Sequence, residues 1–176
     1  MPILPEQRGR RDSASNNGGP KGYVLVVDDE GDIRNLIERF LQGLGYAVLA
    51  AGDGEDALFQ LVLGHPIRLI LCNLRMPRIN GPAFYGDVAE SCPDLSERFV
   101  FCSGDVASDE SRRFLLDSGR AWLAKPFELD QLKRTVRRYD DRLPVQLDVR
   151  ATRRLLASIY EHSFACRPLQ CVQVAG

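Results

Sequence analysis

Five short apolar runs, separated by stretches of helical period, constrain this sequence more than anything else in it. They are residues 23–27 (YVLVV), 46–51, 67–72, 98–102 and 121–124. Runs this short, with little polar alternation, read as strands covered on both faces. Between the first two, Ile33, Leu36, Ile37, Phe40, Leu41 and Leu44 recur at helical spacing and end at Gly43 and Gly45. Ala57, Leu58, Leu61 and Val62 mark a second helix, broken by Gly64-His65-Pro66. A third is expected over 82–91, with Pro82 in the first turn, where its missing N–H is no loss. A fourth is expected over 108–117, closed by Gly119, and a fifth around Leu129, Leu132, Val136 and Tyr139. Strand and helix alternate throughout, which predicts an α/β fold with a parallel sheet. Right-handed crossovers then favour a doubly wound open sheet of five strands, with five helices on its two faces.

The flanks do not share this pattern. Residues 1–21 are rich in Gly, Pro, Ser, Asn and Arg without a period, and read as a flexible leader. The periodic unit occupies 22–140. Residues 141–176 form an extension with one expected helix over 148–164, on which Leu155, Leu156, Ile159 and Tyr160 share a face, and a frayed end. A net charge of −1 gives no electrostatic case for nucleic acid or an anionic membrane, and no apolar run is long enough to span a bilayer. The first residues lack the apolar core of a signal peptide, so the cytoplasm is the expected compartment. The five cysteines include no CxxC pair; Cys72 and Cys102 fall inside strand-like runs, and free thiols are expected.

The chemistry collects at the ends of the strands. Asp28-Asp29 follow the first, Asn73 the third, Ser103 the fourth and Lys125 the fifth. In a sheet of order 2-1-3-4-5 these positions converge at the carboxyl edge, where open α/β sheets bind ligands. Adjacent carboxylates make a hard oxygen site suited to Mg2+. A hydroxyl and an ammonium opposite them suit the far side of a phosphoryl group. No glycine-rich phosphate loop follows the first strand, and neither His65 nor His162 lies where a kinase would need one.

The segments VLVVDDEGDIRNLI, LILCNLRMPRING, FVFCSGD and WLAKPF, in that order, resemble the receiver domains of response regulators. FLLDSGRAWLAKPFELDQL is similar in particular to the C-terminal receivers of hybrid histidine kinases. The resemblance implies a flavodoxin-like, CheY-like receiver fold, of strand order 2-1-3-4-5, in a two-component phosphorelay. By position it makes Asp29 a direct Mg2+ ligand, Asp28 one acting through water, and the Arg75 backbone carbonyl a further ligand. Ser103 becomes the switch hydroxyl, Lys125 the phosphoryl-contacting lysine, and Trp122 the switch aromatic, where the family usually has Phe or Tyr. It further implies a histidine kinase or phosphotransfer protein as partner, met on the face of the fourth helix, fifth strand and fifth helix.

Position 73 departs from that family. The resemblance implies an aspartate there, attacking phosphohistidine to become an aspartyl phosphate. Asparagine matches its shape, but the amide is neutral and nearly non-nucleophilic. It also takes one charge from the metal site, so weakened Mg2+ binding is expected, with the amide oxygen still able to coordinate. Three readings of Asn73 follow: a receiver that binds partners without phosphate, a substitution holding an ordinary receiver unphosphorylated, or transfer to another acceptor such as Ser103 or a paired acid. The expected role is a signalling module, not an enzyme. The competing reading is a Mg2+-dependent phosphatase-like enzyme of the same sheet class with Asp28 as nucleophile.

Overall fold

The computed structural model describes residues 20–105 and 107–165. Cys166, Cys171 and nearly all of the expected leader lie outside the described residues. Five strands form one parallel sheet: β1 Tyr23–Val27, β2 Ala47–Ala51, β3 Ile67–Asn73, β4 Phe99–Ser103 and β5 Ala121–Ala124, in the order β2-β1-β3-β4-β5. That is the order expected. The register aligns Val27 with Cys72 and Asn73 with Cys102, so the strand ends come to one edge.

The apolar runs alternate within themselves, which is why they show no polar period. Val24, Val26, Leu69, Leu71, Val100 and Cys102 form one core, with residues of α1 (Gly31–Gly43) and α6 (Leu129–Arg137). Leu25, Val27, Ile70, Cys72, Phe99 and Phe101 form the other, with residues of α2 (Gly54–Val62), α3 (Gly81–Ser91) and α5 (Asp109–Ser118). Phe99 and Phe101 meet Phe84, Tyr85 and Phe114 in tilted and edge-on contacts, the arrangements that ring quadrupoles favour.

Seven helices stand among the described residues, where five were expected in the periodic unit and one in the extension. The addition is α4, the single turn Pro93–Ser96. Cys92 leaves helical geometry at φ −147°, and Pro93 starts a new turn. Four residues are too few to show a hydrophobic period. α7, Val149–Ala165, is no addition: it lies where one helix was expected in the C-terminal extension, over 148–164. Asp148 precedes it and accepts from the Ala151 N–H at 2.7 Å.

α7 lies against α2 and α3. Ala151, Leu155 and Ile159 are buried, the latter two in the same core as the sheet. Arg154 donates to the Glu90 carbonyl at 3.1 Å, and Ser163 donates to Glu55 at 2.6 Å. His162 stands 3.1 Å from Asp87. Ahead of α7, Val145 and Ile67 exchange backbone hydrogen bonds of 2.7 and 2.8 Å as an antiparallel bridge. Arg68 of β3 gathers the carbonyls of Lys21, Tyr139, Asp140 and Arg142 at 2.5–3.0 Å.

Candidate functional site

β1 runs out at Val27, so Asp28 is carried to the sheet edge still under cover, 1% exposed. Asp29 and Glu30 follow it, Glu30 as the N-cap of α1. Asn73 is the last residue of β3, and Ser103 the last of β4; both are buried. Lys125 follows β5 directly, and its bond to Pro126 is cis. Asp29, Asn73, Arg75, Ser103 and Lys125 line a common cavity of about 690 Å3, which continues past Phe127 along an apolar wall from α1. The structure therefore brings the strand-end residues together. Trp122 is the exception: it is exposed, pairs in register with Phe101, and is absent from the cavity lining.

The hydrogen bonds divide these groups into three sets. Lys125 Nζ donates to Asp28 Oδ2 at 2.7 Å and to Glu30 Oε1 at 3.1 Å. Lys125 was expected to face Asp28 and Asp29; its second partner is Glu30 instead. Glu30 stands at the N-cap of α1, but it makes no side-chain cap and turns its carboxylate to the lysine. Burial pushes the Asp28 carboxyl up, and the hydrogen bond and charge of Lys125 with the Glu30 N–H offset this only in part. Burial alone would lower Lys125, but Asp28 and Glu30 more than reverse it, so the ammonium is held protonated.

The second set centres on Asn73. Its Nδ2 donates to Asp29 Oδ1 and to the Arg75 carbonyl, both at 2.9 Å. The third bridges the loops after β3 and β4. Arg75 forms an ion pair with Asp105 and reaches Ser108 Oγ at 3.4 Å, while the Asp105 N–H donates to Ser103 Oγ at 3.0 Å. Sequence reading gave Arg75 only its carbonyl and left Asp105 as loop. The signal was present: each lies two residues past the end of its strand, and β3 and β4 are neighbours, so equal offsets face each other.

Two further features hold the loop after Asn73. Arg78 takes a left-handed φ of 56° and pairs with Asp53, Glu55 and Asp56 at the start of α2. Gly81 opens α3 so close to β3 that a Cβ there would lie 2.4 Å from the Asn73 carbonyl oxygen. No side chain fits at that distance, so glycine is required.

Residues 24–137 match the response regulator receiver domain. This chain belongs to the response regulator receiver family. It is 34% identical over 115 residues to the sensor kinase CckA of Brucella abortus, covering 65% of this chain and 12% of that protein. It is 31% identical over 120 residues to the sensor histidine kinase RcsC of Escherichia coli, covering 68% of this chain and 12% of that protein. The chain spans less than half the length of such curated relatives. Among solved structures, the response regulator TrrA of Thermotoga maritima, in complex with Mg2+-BeF, superposes with a TM-score of 0.57 at 29% identity. That match covers 67% of this chain and 98% of TrrA. The fold is thus the CheY-like receiver fold of two-component phosphorelay proteins. No helix among the described residues is long and apolar enough to cross a membrane.

Receivers with Mg2+ stand among the similar structures, so the fit of this pocket to the ion matters. A cation needs oxygens facing it. Here Asp29 and the Arg75 carbonyl face the N–H groups of Asn73, and Asp28 faces an ammonium. As arranged, the residues do not fit Mg2+.

Proposed function

We propose that this receiver forms no aspartyl phosphate at position 73 and signals through protein contacts alone. The observation that supports this is Asn73 itself, an amide at the acceptor position whose nitrogen is spent on Asp29 and the Arg75 carbonyl. An amide offers neither the charge nor the lone-pair basicity of the attacking carboxylate. On this reading residues 22–140 are the receiver unit and 141–176 its extension. Lys125 and Ser103 hold the phosphoryl-contacting and switch positions, Trp122 that of the switch aromatic. Asp28, Asp29, Asn73 and the Arg75 carbonyl stand where the family holds Mg2+, and their bonds to one another and to Lys125 weaken any hold on the ion.

The partner is a histidine kinase or phosphotransfer protein in the cytoplasm, met on the face of α5, β5 and α6. Trp122 is exposed there, as are Arg112, Arg113, Arg134, Arg137 and Arg138, which suits an acidic partner with an apolar centre. The module carries no turnover of its own. The hydrolase reading fares worse because Asp28 is 1% exposed and both its oxygens are hydrogen-bonded, by Lys125 and the Glu30 N–H.

Incubation with acetyl phosphate or a phosphorylated histidine kinase, followed by intact-mass measurement and peptide mapping, tests this. The expected result is no phosphoryl adduct on the wild-type chain and an adduct at position 73 in Asn73→Asp. A phosphoryl group mapping to Asn73, its deamidated form or Ser103 would overturn it.

A further inference from the structure

An amide has one end that donates and one that accepts, whereas a carboxylate only accepts. At the end of β3 this difference decides what the acid pocket can hold. Asn73 directs its donating end between Asp29 Oδ1 and the Arg75 carbonyl oxygen, at 2.9 Å from each. Both are acceptors, one of them charged, so the opposite orientation of the amide would bring oxygen against oxygen. Around this centre the other charges are already met from within the chain. Lys125 lies on Asp28 and Glu30, and Arg75 on Asp105.

We propose that the Asn73 amide takes the place of the cation. One neutral donor group joins the oxygens a metal would join, and the pocket is complete without Mg2+. The amide oxygen is then not a residual ligand, because turning it inward breaks both Nδ2 hydrogen bonds. Asn73 acts against metal binding by occupying the ligands, over and above the charge it lacks. Mg2+ is especially sensitive to this, since it gives up water reluctantly and demands near-octahedral oxygen geometry. The proposal rests on the receiver reading of the pocket, but it is read out by metal affinity and not by phosphorylation.

The two roles of the amide predict opposite results for one variant. Asn73→Ala has the charge of the wild type, no donor and no side-chain oxygen. Mg2+ titrations of the full chain by calorimetry, with Mn2+ relaxation as a second probe, compare the wild type, Asn73→Ala and Asn73→Asp. Asn73→Asp is expected to bind at least about ten-fold tighter than wild type, the scale on which small changes around a site alter metal affinity. Asn73→Ala is expected to bind more tightly than wild type, because its ligands are released, and unchanged affinity would overturn the proposal. Weaker binding by Asn73→Ala would show the amide oxygen to be a ligand and overturn the proposal. A measurement on the unaltered protein guards against misfolding of the variants. The Asn73 side-chain 15N–1H signals are expected to stay in place at Mg2+ concentrations that half-saturate Asn73→Asp. A saturable shift of those signals over that range would overturn the proposal equally.

Discussion

Cys72 and Cys102 sit one on each face of the sheet, next to the strand ends that carry the site. Both are fully sealed from solvent. Burial pushes the Cys102 thiol up to about 12 and the Cys72 thiol well above its ordinary value, because a thiolate has no water or donor to stabilise it there. At pH 8 the Cys102 thiolate is then a fraction of about one in ten thousand. Residue-resolved mass spectrometry after iodoacetamide treatment is expected to find both unmodified in the native protein and modified in urea. The same shift has a sign in stability. The unfolded chain releases the thiol proton near 9.0, the native one near 12, so between these values the native state binds more protons and stability falls as pH rises. The loss is about 1.4 kcal/mol per pH unit for one thiol. Urea midpoints of the wild type and Cys102→Ala between pH 9 and 11 measure it, and the variant is expected to show the shallower decline.

At the scale of elements, the C-terminal helix is part of the core and not an appendage to it. Leu155 is fully buried, with Ile159 beside it, under α2 and α3. Leu155→Ala is expected to cost about 3 kcal/mol, the middle of the range for a buried leucine whose cavity does not collapse. Thermal unfolding followed at once by far-UV dichroism and by the fluorescence of Trp122 checks this. Both signals are expected to fall together, at a midpoint lowered by about 6–12 °C for a chain of this size. If α7 were separable, the variant would lose helix signal early and leave the Trp122 transition unmoved. The helix also touches the site at one remove. Ser163 holds Glu55, Glu55 pairs with Arg78, and Arg78 lies in the loop that follows Asn73.

Over the whole molecule, what could be read in advance was whatever repeats along the chain. Five apolar runs gave the strand count, and their alternation with helices gave a parallel, doubly wound sheet; the order 2-1-3-4-5 is the one that the receiver resemblance implies. The strand-end residues followed from that order, since a register that pairs Asn73 with Cys102 leaves little choice about which side chains meet. What escaped was set by direction and not by spacing. Glu30 turning to Lys125 and Asn73 presenting its nitrogen both depend on side-chain torsions that no pattern encodes. The turn α4 escaped for another reason, having only four residues.

Arg68 bears on how such a unit can be joined to others. One guanidinium binds the carbonyl of Lys21, where the polypeptide arrives, and those of Tyr139, Asp140 and Arg142, where it leaves the last helix of the sheet layer. Arrival and departure are thus tied at a single point on the flank of β3, away from the edge that carries Asn73. A unit closed in this way can be spliced into a longer polypeptide, or its ends fused and new ones opened elsewhere, without pulling the sheet apart.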